Sequence, residues 1–150
     1  MLVSACLLGV PCTHTGTHNA SRAVIALGDR RRLVPVCPET VGGLPTPRPE
    51  AERSHVDGRV RTADGVDVTD AFERGAAHAV RLAAAVGART AVLKARSPSC
   101  GCHQVYDGTF TRTRVDGEGV TAQALRAAGV EVVSEDDVAA GWDGGAISAG

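Results

Sequence analysis

An α/β fold is predicted for this chain, a single Rossmann-like domain whose mostly parallel sheet is covered by helices on both faces. Three observations carry that expectation: short apolar runs recur along the chain, segments of helical periodicity lie between them, and 150 residues suit one domain.

The first run, Leu2-Val3-Ser4-Ala5-Cys6, meets Gly9 and Pro11 and reads as a buried strand entering a loop. Leu33-Val34-Pro35-Val36-Cys37 repeats that shape and stops at Pro38. Thr90 to Ala95 is the third run, ahead of the turn-like Ser97-Pro98-Ser99, and Val130 to Ser134 is the fourth. Between the second and third, Ala71, Phe72, Ala76, Ala79, Val80, Leu82 and Ala83 recur near helical spacing. That predicts a helix from Thr69 to Val86, with Gly87 as its C-cap. Segments 20–29 and 121–128 read as two more helices, the second closed by Gly129. Strands alternating with helices imply βα units and hence parallel pairing.

The Pro- and Gly-rich stretch from Gly42 to Pro49 and the charged stretch from Glu50 to Asp67 are too long for a plain connection, so a wall or lid of the site is expected there. One domain is expected over 1–140, followed by a flexible tail over 141–150 that is rich in Gly and Ala.

A net charge of −1 lacks the electrostatic footprint of a nucleic-acid binder, and no stable nucleic-acid partner is expected. The one dense basic cluster, Arg30-Arg31-Arg32, reads as a solvated helix end. No apolar run reaches the roughly 18 to 20 residues of a membrane span and no leader pattern is visible, so a cytoplasmic location without membrane association is expected. In a reducing compartment, five cysteines are expected as thiols or metal ligands.

Cys6, Cys37 and Cys100 each fall at the end of a predicted strand, and in open parallel sheets ligands bind beyond the carboxyl ends of the strands. Iron–sulfur clusters and zinc are the usual partners of cytosolic cysteine sets, while single buried cysteines also serve as small hydrophobes. No Cys-x-x-Cys pair is present, which argues against a zinc ribbon, a ferredoxin run or a thioredoxin-type couple. Cys12 and Cys102 lie in the loops just beyond strand-end cysteines, each as a fourth ligand, a resolving thiol or a passenger. His14 and His18 are four apart in a segment that reads as loop, which gives them a surface role. Glu39 follows Cys37 in Cys-Pro-Glu, where Pro38 fixes the backbone and aims a carboxylate beside the thiolate.

LVSACLLG, PVCPE, GGLPTPRPEAE, KARSPSCG, YDGTF and GVTAQALRAAGVEVVSE occur in this order from Leu2 to about Asp137. Together they closely resemble a small bacterial domain family, long of unknown function, whose characterised members are thiouracil desulfidases. The resemblance implies a Rossmann-like domain that holds a 4Fe-4S cluster by three cysteines and leaves its fourth iron without a protein ligand. Carried over by motif, those cysteines are Cys6, Cys37 and Cys100. The family's acidic catalytic group matches Glu39, and its serine falls on Ser97 or Ser99. The implied substrate is a small thiolated nucleobase such as 4-thiouracil, desulfurised by non-redox hydrolysis with release of sulfide.

Two segments depart from the family pattern. Thr13-His14-Thr15-Gly16 replaces a basic residue and Tyr-Asp-Gly, and Cys102-His103 follows Cys100-Gly101 where small residues are usual. Two other classes stay open at this point: a non-catalytic cluster or zinc sensor, and a metal-free enzyme with a cysteine nucleophile. The second lacks a histidine in a recognisable activating motif and any phosphate-binding glycine motif after the first strand.

Overall fold

The structure is a computed structural model that describes residues 1–144. In chain order, β1 (Leu2–Ser4), α1 (Arg22–Ala26), β2 (Val34–Val36) and α2 (Pro38–Val41) make the first third. A ribbon of β3 (Ala51–Arg53) and β4 (Val60–Thr62) leads to the long α3 (Thr69–Val86) and β5 (Thr90–Leu93). A second ribbon, β6 (Gln104–Tyr106) and β7 (Arg114–Asp116), precedes α4 (Val120–Ala127), β8 (Glu131–Ser134) and α5 (Glu135–Ala139).

The central sheet has the order β2-β1-β5-β8 and every pair in it is parallel, as expected for βα units. Its strands are buried on both faces, and the period of two sorts their side chains between two cores. Leu2, Ala91, Leu93 and Val132 point to the side covered by Ala79 and Ala83 of α3 and by Ala122 and Leu125 of α4. Val3, Val92 and Val133 point to the other side, under Val24 of α1 and Val138 of α5. Trp142 packs against this second core, inside the segment expected to be a flexible tail. Residues 145–150 of that expected tail lie outside the described residues.

α3 spans the segment predicted from its periodicity, and Gly87 closes it in the left-handed region at φ 66°. The segment expected to be helical over 20–29 is split: Ser21 caps α1 by accepting the Val24 N–H, and a 3-10 turn over Leu27–Asp29 finishes it. The strands are shorter than predicted because side chains replace the ladder. Lys94 N–H bonds the Ser4 hydroxyl at 2.9 Å, and Ala95 N–H bonds the Glu135 carboxylate at 2.7 Å, so β5 stops at Leu93. Beyond β1, Ala5–Leu8 tightens into a 3-10 turn.

The long stretch from Gly42 to Asp67 contains the β3–β4 ribbon, and the β6–β7 ribbon lies beside it. Buried Glu52 joins the two by accepting the Gly108 N–H at 3.0 Å and the Phe110 N–H at 3.1 Å. Two glycines let backbones touch beyond the carboxyl ends of β2 and β5. A Cβ on Gly75 of α3 would lie 1.9 Å from the Pro38 carbonyl oxygen, and one on Gly119 would lie 2.3 Å from the Ser99 carbonyl carbon.

Candidate active site

From β1 the chain passes to β2 on one side, whereas β5 pairs on the other, so the connections diverge between β1 and β5. Open α/β sheets bind ligands at such a divergence, beyond the carboxyl ends of the strands. A cavity of about 310 Å³ opens there, and Cys6, Cys37, Cys100, Glu39 and Ser97 all line it.

Each thiol reaches the cavity by a different local device. Cys6 sits in the 3-10 turn after β1. Cys37 is the residue before α2; Pro38 occupies the first turn of that helix, and Gly75 brings α3 against it. Cys100 lies seven residues past β5, where the Ser97 hydroxyl accepts the N–H groups of Ser99 at 3.1 Å and of Cys100 at 3.0 Å. Burial pushes the Cys100 thiol up to about 12, opposed by a hydrogen bond from Ser4. Burial also raises the Cys6 thiol, while the Asn19 side chain and the Lys94 charge pull it back.

Glu39 is held by Arg48. The guanidinium Nε donates to Glu39 Oε1 at 3.0 Å, Nη1 donates to the Pro45 carbonyl and the Thr46 hydroxyl, and Nη2 donates to the Cys12 carbonyl at 2.9 Å. The Arg48 side chain is only 5% exposed, so this pair is little screened by water. Lys94 also faces the cavity, its ammonium paired with Glu135 at 2.9 Å.

The structure separates the two serines. Ser97 lines the cavity. Ser99 is fully buried and its hydroxyl bonds that of Thr121 at 2.8 Å, so it ties the Cys100 turn to α4. The two further cysteines also part ways. Cys12 lines the cavity beside Cys37, and burial followed by the charge and hydrogen bond of Cys37 pushes its thiol up to about 12. Cys102 is buried outside that cavity, next to His103 and Asp137. His14 stands on the cavity rim, whereas His18 Nδ1 accepts the Ala20 N–H at the surface.

The donor set fits a cluster better than a single ion. Tetrahedral zinc with thiolates at about 2.3 Å brings its sulfurs within about 4 Å of one another. Among the described residues, the Cys, His, Asp and Glu groups that gather three ligand atoms within 4.8 Å are Cys102, His103 and Asp137, not the three cavity thiols. Cys6, Cys37 and Cys100 instead ring one cavity from three separate turns, as ligands to separate corners of a cluster must.

Arg48, Asn19, Ser4 and Lys94 were not singled out by the sequence reading. Arg48 lies within GGLPTPRPEAE, but a lone arginine in a Pro-rich stretch carries no chemical signal until its partner Glu39 is placed.

Residues 1–137 match the family described as 2-thiouracil desulfurase. The chain is 40% identical to the uncharacterized protein YbbK of Bacillus subtilis (strain 168), over 92% of this chain and 97% of that protein. A solved structure of a [4Fe-4S]-dependent thiouracil desulfidase, TudS, superposes with a TM-score of 0.87 at 46% identity and covers 93% of each chain. Fold, strand-end thiols and a sequence match across nearly the whole chain agree, and the chain belongs to the 2-thiouracil desulfurase family.

Proposed function

We propose that this chain is an iron–sulfur-dependent desulfidase that takes a thiolated pyrimidine such as 4-thiouracil and water to the oxygenated base and hydrogen sulfide. The observation that supports this most is the convergence of three thiols and a partly buried carboxylate–guanidinium pair on one cavity of about 310 Å³. Cys6, Cys37 and Cys100 would hold a 4Fe-4S cluster. When bound, that cluster supplies a soft Lewis acid at the iron without a protein ligand, suited to a thiocarbonyl sulfur.

The remaining work falls to side chains. Glu39 takes a proton from the water that adds to the ring carbon, and Arg48 holds the carboxylate in place. Ser97 offers a hydroxyl to the ring of the base, or to the proton that must reach it as the C–S bond breaks. Ser99 supports the turn that carries Cys100. The atoms balance without an oxidant or reductant: oxygen from water replaces sulfur, and two protons leave with the sulfide.

Anaerobic reconstitution followed by iron, sulfide and product assays tests the reading. Cys37→Ala is expected to lose the broad visible absorbance of the cluster. Glu39→Ala is expected to keep that absorbance and lose sulfide release. Unchanged iron binding in the first variant removes the cluster assignment, and unchanged turnover in the second removes the base.

A further inference from the structure

The Cys102-His103 dipeptide, one of the two departures from the family pattern, stands outside the cavity just described. Cys102 is 3% exposed, and His103 beside it sends Nε2 to Asp137 Oδ2 at 2.7 Å. The ligand atoms of Cys102, His103 and Asp137 all lie within 4.8 Å of one another. A thiol, an imidazole and a carboxylate are the three ligand types that zinc takes, and three protein ligands with one open position is a common zinc arrangement. A second, smaller cavity of about 150 Å³ adjoins them, lined by Cys102, His103, Ser134 and Asp136, with room for a water on that fourth position.

We propose that Cys102, His103 and Asp137 form a mononuclear zinc site, separate from the cluster seat, that staples the turn after Cys100 to the start of α5. The charges suit it, because a thiolate and a carboxylate neutralise the dication, with Cys102 buried on one side and His103 open to solvent on the other. Ligand shifts of about 1 Å at most are needed, since zinc sets sulfur about 3.6 Å from nitrogen or oxygen and the three ligand atoms lie within 4.8 Å of one another. Zinc with nitrogen and oxygen at about 2.1 Å sets those ligands about 3.4 Å apart, so the His103–Asp137 contact opens by roughly 0.7 Å. Asp137 is already fixed by the α5 capping box, in which Ser134 N–H donates to its Oδ2 at 2.8 Å and the Ser134 hydroxyl accepts the Asp137 N–H. On binding, Cys102 releases its proton to solvent and His103 bonds through a ring nitrogen that carries none.

Cobalt(II) is the probe, since it takes zinc sites and reports thiolate ligation by a charge-transfer band. Cluster-loaded protein, in which Cys6, Cys37 and Cys100 are occupied, is titrated anaerobically with cobalt(II) and then with zinc(II). One equivalent of cobalt is expected, with tetrahedral visible bands that zinc abolishes. Cys102→Ser is expected to remove the thiolate band. His103→Asn, at an exposed position that leaves the fold intact, is expected to weaken binding by at least about 10-fold without altering the cluster absorbance. Cys12→Ser is expected to change nothing in the cobalt spectrum. A band that survives Cys102→Ser, one that follows Cys12, or cobalt binding unaffected by His103→Asn overturns the site. If no cluster forms, the same titration on a chain carrying Cys6→Ser, Cys37→Ser and Cys100→Ser still reads dependence on Cys102 and His103, so failure of the desulfidase reading is distinguishable from failure of this one.

Discussion

The thiols and Glu39 border the same cavity but are held by different forces. The turns of Cys37 and Cys100 are fixed by backbone against backbone, Pro38 on Gly75 and Ser99 on Gly119, at distances that admit no added methyl, and the Ser97 and Ser99 hydroxyls add hydrogen bonds within the Cys100 turn. Glu39 is fixed by side-chain hydrogen bonds through Arg48, whose guanidinium reaches three other acceptors in two loops. Close packing defines position to fractions of an ångström and yields only with backbone movement, whereas a hydrogen-bonded side chain can re-aim. The thiol side is thus held with precision and the carboxylate side is open to adjustment.

The largest effect expected from this contrast is at the glycines. Gly75→Ala and Gly119→Ala should each cost about 3 kcal/mol or more, since the new Cβ meets carbonyl groups and not a flexible side-chain end. Both should also lower iron content after reconstitution. Urea midpoints and iron assays check this, and full cluster loading in both variants would break the comparison. Next, Arg48→Ala should keep the cluster absorbance while sulfide release falls by about 100-fold, because the carboxylate loses its aim. Arg48→Lys should restore only part of the rate, since an ammonium cannot reproduce the fork. Loss of iron in Arg48→Ala would show that the two sides are not independent.

A smaller effect separates the serines. Ser99→Ala leaves Thr121 without its buried partner and should cost about 1–3 kcal/mol, read as a denaturant midpoint, with per-cluster turnover retained. Ser97→Ala should instead lower turnover of the loaded enzyme. The smallest effect concerns pH in the cluster-free protein. Cys100 ionises near 9.0 when unfolded and about 12 when folded, so above pH 9 the folded state holds the extra proton and stability falls as pH rises. The contribution is fully present below pH 9 and declines toward pH 12; by pH 9.5 the loss is about 1 kcal/mol for this thiol. Urea midpoints at pH 8 and 9.5 check it, and Cys100→Ala should shrink the difference by this thiol's share, leaving the part that Cys6, Cys12 and Cys102 contribute in the same direction.

The parallel sheet was legible because burial on both faces writes continuous apolar runs such as Leu2 to Ala5 and Thr90 to Leu93, and α3 because its apolar positions keep one period for 18 residues. α2 and α5 were not, since four or five residues are too few to show a period. The two ribbons were missed because strands of three residues in polar sequence carry no alternation to read. In the site, strand-end thiols could be found from their positions in the chain, and the motifs drew in Glu39 and the serines. Arg48 could not be found this way, because an ion pair nine residues apart across a Pro-rich loop depends on how that loop folds back.

Glu52 makes the two ribbons a single part. β3 brings Ala51 and β6 brings Tyr106 to the cavity, and the shared carboxylate couples their positions. That wall flanks a cavity whose thiol turns are clamped elsewhere. In evolutionary terms it is an exchangeable module: substitutions in the ribbons can resize the cavity while the turns that carry the three thiols stay unchanged.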